Sequence, residues 1–204
     1  MSLVTRHSPL YLASANPGKL REFREAARNC GIAVEAVPAI ADLPACVEDG
    51  ATFEANARKK ALHYSAQCEG SVFADDSGLC VEALGGAPGV YSARYAGAGA
   101  DDAANNTKLL AELHDFPASA RAAHYVCVIV LARGGRILTV TVGRADGIIL
   151  DAPRGSGGFG YDPLFLYPPL GKSFAELTPE QKFDVSHRGA AFRKLLDYLQ
   201  NGEW

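Results

Sequence analysis

Asp75 and Asp76 are adjacent carboxylates followed by Ser77 and Gly78, and they have the clearest capacity for chemistry in this sequence. Mg²⁺ prefers carboxylate oxygens as ligands, and a positioned carboxylate can also orient or deprotonate a water molecule. The apolar run 72–74 predicts a short strand that places the two aspartates at its end. The pair is therefore a candidate metal-binding or water-activating site. The alternative is a turn of solvated acids, which is common for Asp-Ser-Gly sequences.

A second acidic pair, Glu48 and Asp49, lies in the proline-containing loop 38–50, before a predicted helix whose far end leads back to Asp75. This position makes Glu48 a candidate second metal ligand beside Asp76. The choice between Glu48 and Asp75 as the residue that completes a metal site stays open. A solvated acidic loop without a metal is the alternative.

The loop 14–19 joins a predicted strand, 10–14, to a helix with Asn16 as N-cap and Pro17 as its first residue. Backbone N–H groups at a helix N-terminus bind anions, and Lys19 adds a positive charge suited to phosphate. The loop is thus a candidate phosphate site. Its spacing differs from that of a Walker loop, so an ordinary capped turn with an exposed lysine is the alternative.

A glycine-rich loop, 155–162, precedes a short apolar run. Glycine lets the backbone approach a ligand closely, and the ring of Phe159 could stack on a base. The loop therefore suits a nucleotide. In the alternative interpretation, Phe159 and Tyr161 anchor a tight loop into the core.

Lys182, His187 and Arg188 bracket the predicted start of the last helix. There the helix dipole, an imidazole and a guanidinium could converge on a ligand that carries oxo groups or phosphate. A histidine with a purely structural role is the alternative.

The elements that must position these residues alternate between strand and helix patterns. The hairpin 123–132 and 137–143 carries the clearest strand signal. Further strands are predicted at 10–14, 34–37 and 72–74, and 164–166 is a short apolar run. Helices are predicted from Pro17 to about Cys30, from a cap at Thr52 through Tyr64, at 101–114, after a capping box at 178–181, and at 186–200. The pattern predicts an α/β fold with a mixed central sheet, flanking helices and two lobes around a nucleotide-binding cleft.

Composition narrows the class of protein. The chain has 204 residues, 48% of them hydrophobic, and a formal net charge of -3. These values favour one domain, 1–204, and argue against a broad basic surface for nucleic acid. The 5 cysteines form no Cys-x-x-Cys pair, which is typical of a reducing compartment. No apolar run approaches the roughly 18 residues of a transmembrane helix, so we expect a soluble, cytoplasmic protein without a membrane partner.

Taken together, several segments resemble the inosine triphosphate pyrophosphatase family, which acts on non-standard purine nucleoside triphosphates. They occur in the family's order and span nearly the whole chain. The segments are 14–19, 48–57, 73–79, 84–95, 157–163 and 186–192.

The resemblance implies a Mg²⁺-dependent homodimeric enzyme that hydrolyses inosine, deoxyinosine or xanthosine triphosphate to the monophosphate and pyrophosphate. It implies that Asp76 is the catalytic carboxylate and a metal ligand, with Glu48 as the second ligand. One departure is Ala15, where the family usually has glycine; we expect alanine to be tolerated. The implied substrate-binding residues are Ser14, Ala15, Asn16, Pro17, Gly18, Lys19, Lys60, Ser77, Phe159, Gly160, Tyr161, Asp162, Lys182, His187 and Arg188.

Two rival functions use the same loops. A non-catalytic nucleotide sensor would need Asp76 only for affinity. A nucleotide-sugar transferase would transfer a sugar instead of releasing pyrophosphate, and no second sugar-site signature supports it.

Overall fold

A seven-stranded mixed sheet forms the centre of the molecule, for which a computed structural model describes residues 9–28 and 30–202. The order across the sheet is β2-β1-β3-β4-β5-β6-β7; β1 is parallel to both neighbours and the other pairs are antiparallel. The predicted α/β class is confirmed. The strands are β1 (Leu10–Leu12), β2 (Val34–Ala36), β3 (Ser71–Val81), β4 (Ala122–Arg133), β5 (Arg136–Ile149), β6 (Phe165–Tyr167) and β7 (Lys172–Ser173).

The helices begin where the sequence places capping side chains. Asn16 accepts a hydrogen bond from the Lys19 N–H at 3.1 Å, and Thr52 accepts one from the Ala55 N–H at 3.1 Å. The capping box that begins at Thr178 is also present. The helices are α1 (Pro17–Arg28), α2 (Phe53–Ser65), α3 (Asp102–Glu112), α4 (Pro179–Val185) and α5 (His187–Asn201).

The strand that carries the two aspartates is longer than predicted. Residues 71–81 pair without interruption with β4, so that Asp75 lies opposite Ile129 and Asp76 opposite Val128. The expectation that the aspartates lie at a strand end is therefore wrong. The apolar pattern stops at residue 74, but the long β4–β5 hairpin supplies a backbone partner for every residue beyond it.

The strands β3, β4 and β5 run through two lobes, and each lobe has its own core. In the first lobe, α1 and α5 cover one face of the sheet and α2 covers the other. In the second lobe, α3 and the segments around β6 pack on the continuation of the same strands. Along β3, Phe73 belongs to the first lobe and Leu79 to the second, so the polar residues 75–78 lie at the junction. None of the helices in the described residues is long and apolar enough to cross a membrane.

Candidate active site

The two lobes enclose a cleft of about 600 Å³, a volume typical of small-molecule sites. Pro17 and Gly18 begin α1 and are the two predicted site residues outside its lining. The predicted residues that line it are Ser14, Ala15, Asn16, Lys19, Glu48, Lys60, Asp76, Ser77, Phe159, Gly160, Tyr161, Asp162, Lys182, His187 and Arg188.

The loop before α1 adopts its conformation without glycine at position 15. Among the described non-glycine residues, Ala39 is the one with a positive φ, so Ala15 has an ordinary backbone conformation. The Asn16 N–H donates to Ser14 Oγ at 3.2 Å, which tightens the turn ahead of the helix. The methyl group of Ala15 therefore does not disqualify the loop as an anion site.

Asp76 faces α2, which supplies two of its partners. Asn56 Nδ2 donates to Asp76 Oδ2 at 3.1 Å, and Asn56 Oδ1 accepts from the Gly50 N–H at 2.7 Å. Lys60 Nζ lies 2.9 Å from Glu48 Oε2 and 3.6 Å from Asp76 Oδ1. Burial raises the pKa of Asp76, against the lowering influence of Lys60 and of the hydrogen bond from Asn56. A carboxylate of this kind is suited to proton abstraction.

Asp75 points to the opposite side of β3 and is fully buried. Its Oδ2 lies 2.8 Å from Lys19 Nζ and 3.7 Å from Arg188 Nε. Ser77, two residues along the strand, accepts a hydrogen bond from Arg188 Nη2 at 3.2 Å. Burial acts to raise the pKa of Asp75, but Lys19 and Arg188 outweigh it and hold that pKa well below the usual range.

Glu22 of α1 joins two buried cations at the other end of the cleft. Lys182 Nζ donates to Glu22 Oε1 at 2.9 Å, and Arg188 Nη1 donates to Glu22 Oε2 at 2.6 Å. Lys182 Nζ also donates to Asp162 Oδ2 at 2.6 Å. Each cation thus has a carboxylate partner, as burial requires. Charges alternate along the resulting chain: Lys19, Asp75, Arg188, Glu22, Lys182 and Asp162.

The ring of Phe159 covers this cationic group. Lys182 Nζ lies 4.6 Å and the Arg188 guanidinium carbon 5.2 Å from the ring centroid. A Cβ atom at Gly18 would lie 3.5 Å from the same ring. The start of α1 and the glycine-rich loop 155–162 (the base loop) therefore approach each other. The ring of Phe159 gives a flat aromatic surface beside two hydrogen-bond donors.

The order of these segments along the chain matches one known family. A sequence profile of the Ham1 family matches residues 10–198. The chain belongs to the Ham1 family. The resemblance drawn from the motifs is confirmed, because relatives of high identity carry pyrophosphatase names.

These Ham1 relatives are similar over most of their length. A dITP/XTP pyrophosphatase of Geobacillus kaustophilus is 47% identical over 186 residues, or 91% of each chain. A dITP/XTP pyrophosphatase of Syntrophobacter fumaroxidans is 50% identical over 190 residues, which is 93% of this chain and 81% of the relative. The structure of a HAM1 protein from Coxiella burnetii superposes with a TM-score of 0.85 at 40% identity, covering 95% of this chain and 99% of the other.

His187 of this Ham1 chain is buried against an aromatic ring. Its imidazole stacks on Tyr125 with ring centroids 4.5 Å apart and an interplanar angle of 7°. Burial is the main reason why the pKa of His187 lies well below 6.5, and the nearby positive charges of Arg188 and Lys182 lower it further. The imidazole is therefore neutral at neutral pH and carries one N–H donor. Nδ1 has no hydrogen-bond partner within the described residues.

The residues that sequence reasoning missed include two that bind predicted site residues, Glu22 and Asn56, and one that lines the cleft, Asp102. Glu22 follows Lys19 by three residues, and this helical spacing is the signal that could have revealed it. Asn56 lies inside the segment 48–57 that carries the resemblance, but its bond to Asp76 joins distant elements. Asp102 lines the cleft from α3, and nothing in its local sequence distinguishes it from an ordinary acid in a first helical turn.

The carboxylates of Glu48 and Asp76 fit a magnesium ion. Both approach the Lys60 ammonium group, so a positive charge is already favoured between them. Mg²⁺ commonly takes one or two carboxylates and completes its shell with water and substrate phosphate. Over residues 9–28 and 30–202, no group of three His, Cys, Asp or Glu side chains is arranged to hold a metal by itself. A magnesium ion held by these two carboxylates would therefore need water and phosphate oxygens as its remaining ligands.

Proposed function

We propose that this chain hydrolyses non-standard purine nucleoside triphosphates, those of inosine, deoxyinosine and xanthosine, to the monophosphate and pyrophosphate, and thereby removes them from the nucleotide pool. One observation carries the proposal: a single cleft joins a helix N-terminus with Lys19 and a carboxylate pair around Lys60 to an aromatic ring beside Lys182 and Arg188. The names of the relatives, dITP/XTP pyrophosphatase, support the same reaction.

Mg²⁺ is the proposed cofactor, held by Asp76 and Glu48. The position of Glu48 beside Lys60 favours it over Asp75, whose carboxylate is already shared by Lys19 and Arg188. When bound, the ion would neutralise charge on the substrate phosphates.

Asp76 is the proposed general base. Its raised pKa lets the carboxylate accept a proton from a water molecule that attacks the α-phosphorus, while the Asn56 amide fixes its orientation. The bond from the α-phosphorus to the bridging oxygen breaks, and pyrophosphate leaves with that oxygen. Lys19 and Lys60 stabilise the leaving negative charge, and the positive end of the α1 dipole adds to this effect.

Base selection is assigned to Arg188, His187 and Lys182. The 6-oxo group of hypoxanthine and xanthine accepts hydrogen bonds, whereas adenine offers an amino donor at that position. A buried donor facing that amino group loses its partner, and such a mismatch supports discrimination of about 10⁴-fold. Arg188→Ala is expected to reduce the ratio of inosine to adenosine triphosphate hydrolysis; an unchanged ratio would remove Arg188 from base recognition.

We further propose that residues 1–204 act as one domain within a cytoplasmic homodimer, as the family resemblance implies. Sedimentation equilibrium at micromolar concentration tests the dimer. A mass twice that of the 21.6 kDa chain is expected, and the mass of one chain would contradict it.

The deciding experiment incubates the purified protein and Mg²⁺ with the triphosphates of inosine, xanthosine, adenosine, guanosine, cytidine and uridine. Pyrophosphate and monophosphate are both quantified. Metal-dependent pyrophosphate release confined to inosine and xanthosine is expected. Tight binding without turnover would instead indicate a nucleotide sensor, and release of orthophosphate would contradict the proposed position of attack.

A further inference from the structure

Two side chains of α3 bind the backbone N–H and the backbone carbonyl of Gly160, which lies in the base loop. The Gly160 N–H donates to Asp102 Oδ2 at 2.6 Å, and Asn106 Nδ2 donates to the Gly160 carbonyl at 3.0 Å. Asp102 and Asn106 are four residues apart and therefore lie on one face of the helix. Through these two hydrogen bonds, helix α3 holds a loop that lies more than fifty residues away along the chain.

Gly160 lies in a turn of the base loop. Gly160 has a φ of +63°, in the left-handed region, and directly follows Phe159. The next residue, Tyr161, is buried and donates from its hydroxyl to the Ser92 carbonyl at 2.8 Å. The two hydrogen bonds from α3, together with the hydrogen bond from the Phe159 N–H to Asp162 Oδ2 at 2.9 Å, therefore restrain the backbone from which the Phe159 ring projects.

The bond from Gly160 to Asp102 has a favourable electrostatic setting. Asp102 lies in the first turn of α3, where the helix dipole stabilises a carboxylate, and a hydrogen bond to an ionised acceptor is stronger than a neutral one. Asp102 also lines the cleft. Asp102 is thus part of the cleft wall, and Asn106 reaches the site through its hydrogen bond to Gly160.

We propose that Asp102 and Asn106 are positioning residues for nucleobase binding. By holding the backbone of Gly160, they help to keep the Phe159 ring in the plane against which the base stacks. The inference rests on the proposed function in one respect, namely that the ligand on Phe159 is a purine base. The proposal gives α3, a helix of the second lobe, a role in base specificity. It predicts that substitution of Asp102 or Asn106 weakens base binding and leaves pyrophosphate binding intact.

The test compares Asp102→Ala and Asn106→Ala with the matched control Asp101→Ala. Asp101 caps the same helix through the Ala104 N–H at 2.8 Å, so its loss weakens α3 without removing a contact to Gly160. Affinity for inosine monophosphate and for inorganic pyrophosphate is measured by calorimetry in Mg²⁺. Asp102→Ala should weaken monophosphate binding about tenfold, as expected for one charge-assisted hydrogen bond, and leave pyrophosphate binding unchanged.

Asp102→Asn retains a carbonyl oxygen as acceptor and should recover most of the lost affinity. The proposal is overturned if Asp102→Ala weakens both ligands equally, or if Asp101→Ala reproduces its effect on the monophosphate. Amide hydrogen exchange in residues 155–162 without nucleotide provides a measurement that does not depend on the reaction. Faster exchange in Asp102→Ala than in Asp101→Ala is expected. Equal exchange in the two variants would show that Asp102 does not hold the loop, whether or not the wild-type protein hydrolyses inosine triphosphate.

Discussion

Asp75 and Asp76 are consecutive residues of β3, yet they lie in opposite electrostatic environments. Asp75 is buried between Lys19 and Arg188, which hold its pKa well below the usual range. Asp76 points to the other face, where burial raises its pKa and Lys60 stands farther away, at 3.6 Å. Because side chains alternate along a strand, these two neighbouring carboxylates lie on opposite faces of β3 and contact different side chains.

The difference shows how one cleft can combine rigidity with reactivity. On the Asp75 side, each buried charge has a partner, so the cations are held in place before substrate arrives. On the Asp76 side, the Glu48 side chain is 39% exposed, which leaves room for phosphate, metal and water. The first network is suited to positioning and the second to chemistry.

Removing the charge of Asp76 should have the largest effect on catalysis. Asp76→Asn keeps the volume of the side chain but cannot accept the proton of the attacking water. Turnover of inosine triphosphate should fall about 10³-fold, within the range that general-base catalysis contributes. Pyrophosphate release with saturating Mg²⁺ measures it, and near-normal turnover would remove Asp76 from its proposed role.

The same substitution at Asp75 should act mainly on stability. Asp75→Asn leaves Lys19 and Arg188 without their shared charge, and breaking a buried ion pair costs about 3–5 kcal/mol. Because the pKa of Asp75 is lowered by folding, this loss is full above the ordinary value of 3.8 and fades as pH falls toward the depressed value. Urea unfolding at pH 7 measures it. Equal unfolding midpoints for Asp75→Asn and wild type would show that the network is not stabilising.

A smaller effect is expected at Glu22, whose carboxylate links Lys182 and Arg188. Glu22→Gln keeps a hydrogen-bond acceptor but removes the charge, so Lys182 and Arg188 should be held less firmly. The KM for inosine triphosphate should rise about tenfold, the range for a hydrogen bond to a charged group. Glu25→Gln, on an exposed position of the same helix, is the control. Similar KM values for both variants would indicate that Glu22 has no positioning role.

The smallest effect concerns the pH dependence of stability at Asp76. Folding raises the pKa of this group, so its contribution is most favourable below the ordinary value of 3.8 and declines as pH rises through the folded value. Without metal, Asp76→Asn should therefore have a slightly higher Tm than wild type at pH 7, and the gain should shrink toward pH 3. Thermal scans in chelator measure it; a Tm gain that grows toward acid would reverse the sign.

Local chemistry made much of this molecule predictable from its sequence. The caps at Asn16, Thr52 and Thr178 were predictable because each satisfies N–H groups of the next helical turn. The extent of β3 was not, because residues 75–78 lack an apolar pattern and extend only through pairing with β4. Asn56 was missed for the same reason, since its contact with Asp76 joins distant elements and leaves no local pattern. Glu22 left one local signal, its helical spacing from Lys19.

The unbroken passage of β3, β4 and β5 through both lobes restricts how the cleft can move. In proteins whose lobes are joined by flexible linkers, closure is a rotation about a few backbone bonds. Here such a rotation would have to twist three hydrogen-bonded strands together. Access for a substrate must therefore depend on local movement of the loops at the rim, including 38–50 and 155–162. The strands β3, β4 and β5, which form the floor of the cleft, are expected to stay fixed.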